Sequence, residues 1–263
     1  MSLHSRVPGP IVAVGVAIGL AAVAYGGGNI VAAGVAFGLA SAGIEVTLRQ
    51  SFILSVVVLQ LVFFTGISLV YLNYRSLSLS DIGVRVPDLE GWIVLGAGFV
   101  GMILLWFVAS IASVVISSRF GIEQEQQAIF EMAQQDPFIF LLLGTLSLLI
   151  VGPTEELLFR GVIQTRLRET FGVASGLTLA TALFALIHIG GFGISASGLL
   201  GVSVLFVVGL VLAVAYEYTG NLVVVAVMHG LFNATQATLG YVGVRFGDPE
   251  AMVLLAGAVV GAV

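Results

Sequence analysis

The sequence predicts an all-α fold, a polytopic transmembrane bundle of about eight helices, and three observations carry that expectation. Of 263 residues, 59% are hydrophobic and only 9% charged, against roughly 25% charged in a typical soluble domain. Mean hydropathy is +1.15, and apolar stretches of about 20 residues, enough to cross a hydrocarbon layer of about 30 Å as a helix, recur along the chain. Those stretches are continuously apolar, without the alternation that the strands of a membrane barrel require.

In chain order, the expected spans are 10–26, 29–47, 51–74, 90–118, 138–170, 173–189, 197–217 and 220–240, with a further apolar tail at 250–263. The N-terminal run after Arg6 is read as the first span rather than as a secretory signal. Only Gly26-Gly27-Gly28-Asn29 separates the first two spans, so they form a tight hairpin or are merged in the hydropathy pattern. Tyr71, Tyr74, Trp92, Tyr216 and Tyr218 fall at span ends, where amphipathic rings favour the headgroup level. Arg6, Arg49, Arg119 and Arg245 on one side balance Arg75, Arg85, Arg166 and Arg168 on the other, so the positive-inside rule selects no orientation. The polar loop 119–137 can form a surface helix with Ile122, Ile129, Phe130 and Ala133 on one face, either as a solvated connector or as a lid over a membrane cavity. These features divide the chain into 1–135, N-terminal helices without a recognisable motif, and 136–263, a core with an apolar tail.

Composition excludes several functions. Cysteine is absent, which removes disulfides, thiolate nucleophiles and cysteine-rich zinc sites. All nine basic residues are arginine, they are not clustered, and the net charge is −5, so nucleic acid is not an expected partner. There is no His-Glu-x-x-His, and Asp81, Asp88, Asp136 and Asp248 all lie in expected loops. Ser175-Gly176 and Ser197-Gly198 are near His188, but a serine mechanism would leave the adjacent glutamates of the fifth span unexplained.

Ionisable groups inside spans cost about 2.5 to 3.5 kcal/mol each at the helix centre and therefore point to function. Here they concentrate in the second half of the chain. In GPTEELLFRG, Pro153 predicts a kink or helix restart near Gly152, which would set Glu155 and Glu156 in a first turn at the positive end of a helix dipole. Glu156 and Arg160 share a face at i, i+4, and Glu155 is turned about 100° away. In FALIH, Phe184 and His188 share a face, as do His229 and Asn233 in HGLFN. Three helices thus offer polar stripes that can meet around one hydrated cavity. Glutamate and histidine can deprotonate a water, and histidine with asparagine can donate to an oxyanion. The same glutamates and histidines could instead bind zinc with an open position for water, and the spacing alone does not separate the two.

Glu155-Glu156-x-x-x-Arg160, then Phe184-x-x-x-His188, then His229-x-x-x-Asn233 resembles the CAAX prenyl endopeptidase and bacteriocin-processing family, also called CPBP or Abi. The likeness covers about residues 138–240, including the stretch GLVLAVAYEYTGNLVVVAVMH. It implies that Glu155 and His188 activate the attacking water, that His229 and Asn233 form the oxyanion hole, and that Glu156 and Arg160 support them. Family members have been described both as metalloproteases and as metal-free glutamate proteases, so it is compatible with no cofactor or with a divalent metal such as zinc. The leading expectation is a multi-pass protein of the cell membrane that acts as an intramembrane endopeptidase, with the bilayer and a protein or peptide substrate, lipidated or not, as its partners. The alternatives are a transporter or proton-coupled carrier using the same carboxylates, and an immunity or binding protein on the same fold.

Overall fold

A computed structural model of the chain describes residues 9–123 and 128–247. Arg6, Asp248, the apolar tail 250–263 and the middle of the loop 119–137 lie partly or wholly outside the described residues. Those residues form helices and turns with no strand among them. The helices of eight or more residues are α1 (Gly9–Ser41), α2 (Leu48–Tyr74), α3 (Leu89–Phe120), α4 (Ala128–Gln135), α5 (Phe138–Phe171), α6 (Val173–Ile187), α7 (Ala196–Thr219) and α8 (Leu222–Phe246). Six of them, α1, α2, α3, α5, α7 and α8, are long and apolar enough to cross a membrane. The architecture is an integral multi-pass bundle.

Two expectations change here. The first two expected spans are one helix: α1 runs through Gly26–Gly28 by widening into a π-helical stretch at Val23–Gly27. Gly27 and Gly28 serve packing rather than a turn, since a Cβ on Gly28 would fall 3.3 Å from the Leu59 Cα of α2. The sixth expected span is α6, whose 15 residues reach about 22 Å, short of the hydrocarbon thickness. Eight expected spans therefore become six long helices and one shorter apolar helix.

Caps fix the helix ends. Thr47 and Gln50 form a capping box at the start of α2, and Asp88, Ser195 and Asn221 accept backbone N–H groups at the starts of α3, α7 and α8. The main core draws on both halves of the chain, from Ala13 and Phe64 to Phe184 and Phe232. A second cluster seats α4 on α5: Phe130 and Ala133 are buried, and Phe130 meets Phe140 edge to face at 5.1 Å. The expected apolar face of the polar loop is thus real at Ile129, Phe130 and Ala133.

Charges gather at the two ends of the bundle. At one end Arg75 meets Glu169 at 3.1 Å, Arg168 meets Glu217 at 2.7 Å, and Arg85 donates to the Thr219 carbonyl at 3.0 Å. Tyr218 donates to Glu90 on this side, but Tyr216 is buried and donates to the Ile82 carbonyl instead of facing headgroups. At the other end Arg49 Nη2 donates to Asp136 Oδ1 at 2.9 Å and lies over the Phe138 ring at 4.4 Å, clamping the α4–α5 junction to α2. That hydrogen bond holds the Asp136 carboxyl below its ordinary range, so the clamp is present above about pH 4 and is lost only as pH falls through the lowered value. Arg49→Ala is expected to leave global stability almost unchanged, because the pair is solvent-exposed and screened. Its effect should show as faster local hydrogen exchange over 128–137, with the transmembrane helices unchanged.

Candidate active site

Pro153 sits inside α5 without interrupting it. Proline lacks an N–H and its ring clashes with the carbonyl four residues back. The helix makes room with π-helical stretches at Ser147–Val151 and Leu157–Gln164, on either side of the turn Gly152–Glu156. Of the expected kink or restart, the restart does not occur: the helix widens instead, and Glu155 and Glu156 lie in mid-helix, away from any dipole end. Such bulges recur at functional sites, and here they decide where the carboxylates point.

Glu156 is fully buried and faces two cationic or donor groups. Its Oε2 lies 3.1 Å from Arg160 Nε, and its Oε1 lies 2.8 Å from His229 Nδ1. Arg160, itself 1% exposed, donates through Nη2 to the Gly209 carbonyl of α7 at 2.9 Å and stacks over the Phe184 ring at 4.8 Å. A buried charge is tolerated only when it is paired in this way. The close α5–α8 approach depends on missing side chains: a Cβ on Gly152 would lie 2.7 Å from the Ala226 carbonyl oxygen, and one on Gly230 would lie 2.7 Å from the Leu148 Cα.

Glu155 points elsewhere, as the 100° offset requires. Its Oε1 accepts a hydrogen bond from Gln60 Nε2 of α2 at 2.9 Å, and its Oε2 lies 3.9 Å from His229 Nε2. Glu155 and His188 line one cavity of about 330 Å³, whose other walls include Tyr25, Phe52, Leu59, Gln60, Ile129 and Met132. Helix α4 thus contributes Ile129 and Met132 to the cavity wall.

The histidines are oriented through Nδ1. His188, at the C-terminal end of α6, lies 2.8 Å from the Phe184 carbonyl through Nδ1. A carbonyl only accepts, so Nδ1 carries the proton and, in the neutral ring, Nε2 is an acceptor. His229 Nδ1 likewise donates to the Glu156 carboxylate. The Phe184 ring stands 4.9 Å from His188 and 5.8 Å from His229, filling the space between them. Asn233, one turn beyond His229 on α8, is buried with its Oδ1 unpartnered, beside a cavity of about 10 Å³ that it shares with His229, Phe184 and Gly209.

All six residues singled out from the sequence therefore converge. Glu155, Glu156, Arg160 and His229 are in direct or near contact, His188 shares the Glu155 cavity, and Asn233 lies at its own small cavity below His229. Among the described residues no group of three or more His, Cys, Asp or Glu side chains is placed to hold a metal ion, so Glu155, His188 and His229 do not form a three-ligand set in this arrangement. Sequence reasoning missed Gln60 and Thr154. The only signal for Gln60 was an amide within the apolar run VVLQLVFF.

Fold and site define a helical membrane protein with a buried glutamate–histidine–arginine cluster opening on a cavity. Residues 137–235 match the family model of the type II CAAX prenyl endopeptidase Rce1-like proteins. This is the stretch that carries all three motifs, and it is similar to CAAX-type intramembrane proteases. No curated protein and no solved structure matches the chain.

Proposed function

We propose that this protein is an intramembrane endopeptidase that hydrolyses a peptide bond near the membrane surface, using a water activated by Glu155 and His188. The observation that carries the reading is one cavity, walled by that carboxylate and that imidazole and rimmed by the surface helix α4. His188 Nε2 accepts a proton from water as the oxygen attacks the carbonyl, and Glu155 orients the same water through the oxygen that Gln60 leaves free. The oxyanion then needs donors. His229 Nδ1 is committed to Glu156, so Nε2 donates only if the ring carries both protons, and the two glutamates supply its counter-charge. Asn233, on the same face, is the second donor; as the oxyanion collapses, the C–N bond breaks and His188 Nε2 returns its proton to the leaving amine. Glu156 and Arg160 hold His229 rather than touch substrate.

The substrate is a protein or peptide, and the cavity's apolar walls suit an aliphatic segment. The cell membrane is the proposed location. The test uses purified protein in liposomes with two reporters, a quenched fluorescent peptide bearing a farnesylated cysteine three residues from its C-terminus and the same peptide without the lipid. Glu155→Gln and His188→Ala are each expected to lower turnover by at least about 100-fold while the protein stays monodisperse. Undiminished cleavage by either variant overturns the assignment, and solute flux without proteolysis would favour a carrier. Equal cleavage of the two reporters would remove lipidation from the substrate requirement.

A further inference from the structure

We infer that Gln60, on α2 in the half of the chain that carries no motif, is a positioning residue that aims the Glu155 carboxylate at the attacking water. The inference rests on the peptidase reading above and adds to it a group outside the matched segment 137–235.

Gln60 is 1% exposed, and an amide buried in a membrane helix is costly unless both its ends are bonded. Both ends are. Nε2 donates to Glu155 Oε1 at 2.9 Å, and Oε1 accepts from the Thr154 hydroxyl at 2.7 Å. The orientation of the amide follows from chemistry, because a flipped amide would set its oxygen against the carboxylate, acceptor on acceptor. The three side chains close a ring between α2 and two consecutive residues of α5, and the ring removes the carboxylate's rotational freedom. With Glu155 Oε1 tied to α2, Oε2 is left facing His229 Nε2. Their separation of 3.9 Å is too long for a direct hydrogen bond and is one that a water can bridge from the side.

The local backbone supports a specialised position. Gln60 lies in a π-helical stretch of α2, Val57–Phe64, within an otherwise α-helical span, and it lines the same cavity as Glu155 and His188. A purely structural role would be better met by an apolar side chain, because replacing a buried amide by a group of the same shape is neutral or favourable unless a partner is left unsatisfied.

The test pairs cleavage with a coupling measurement. Gln60→Met keeps the shape and removes the donor. With the farnesylated reporter it is expected to lower kcat about 10- to 100-fold, the scale of a misplaced catalytic group, with KM changed by less than about twofold. Gln60→Asn, whose shorter amide does not reach, is expected to behave alike and serves if the methionine variant folds poorly. In thermal unfolding of the detergent-solubilised protein, Gln60→Met should lower Tm by a few degrees in the wild-type background and by less than half as much beside Glu155→Gln, where no charge is stranded. Wild-type kcat in either variant that folds overturns the inference, as does an equal Tm loss in both backgrounds. If the wild-type protein cleaves neither reporter, the peptidase reading fails and the Tm coupling alone decides whether Gln60 holds Glu155.

Discussion

Arg160→Met is expected to lower folded-state stability by about 3–5 kcal/mol, the scale for stranding one partner of a buried ion pair, and to abolish cleavage. The guanidinium does three things at once: it lies against Glu156, donates to the Gly209 carbonyl and stacks on Phe184. Without it, Glu156 keeps only the His229 Nδ1–H for a carboxylate at zero exposure. The double variant Glu156→Leu with Arg160→Met removes both charges, and well-packed apolar replacements of buried pairs are often neutral. It should therefore recover most of the lost Tm while remaining inactive, because His229 loses the group that orients it. Thermal unfolding and reporter cleavage, measured on the same preparations, check both halves. A double variant no more stable than Arg160→Met alone would show that the pair is not what stabilises this region.

Gly230→Ala is expected to cripple the proposed cleavage without replacing any of the groups proposed to carry it. Its new Cβ would stand 2.7 Å from the Leu148 Cα and 3.0 Å from the Ser147 carbonyl oxygen, and a Cβ at Gly152 would meet α8 backbone as closely. Backbone atoms within a helix do not rotate aside, so α5 and α8 must separate by roughly an ångström. Overpacking of this kind costs about 1–3 kcal/mol. More importantly, the 2.8 Å bond between Glu156 and His229 would be stretched beyond hydrogen-bond range, and a displacement of that size near reacting groups costs about 100-fold in rate. Gly144→Ala is the internal control. It faces α8 from the same helix, but its Cβ would find its nearest neighbour at 3.5 Å, an ordinary contact, so activity and Tm should be close to wild type. Equal activity in the two variants would dismiss close helix approach as the device that assembles the site.

The matched stretch and the N-terminal helices contribute differently to this picture. Residues 137–235, the stretch that matches the family model, contain the groups proposed to react, whereas α1 and α2 supply cavity walls and the amide bound to Glu155. The site is thus completed by helices whose sequence looks like ordinary lipid-facing apolar segment. Gln60 was hard to see for a physical reason. A single amide in a transmembrane run is common helix glue, and only its distance to a residue 95 positions away gives it meaning.

The sequence by itself determined the class of fold and which polar residues stand as candidates for the site. Hydropathy acts on each stretch independently, so the long apolar runs needed no partner to be recognised. Helical periodicity likewise put Glu156 with Arg160, Phe184 with His188 and His229 with Asn233 on shared faces. Tertiary structure alone decided the rest. It made α1 one helix where the sequence left a tight hairpin and two poorly resolved spans as alternatives, with Gly27 and Gly28 packed against Leu59 and Phe63. It turned the expected restart at Pro153 into π-helical widening, and it gave Glu156 to Arg160 and His229 while giving Glu155 to Gln60 and the cavity. Each of these outcomes depends on how closely two helices approach, which is set by side-chain volume on both of them and leaves no periodic trace in either.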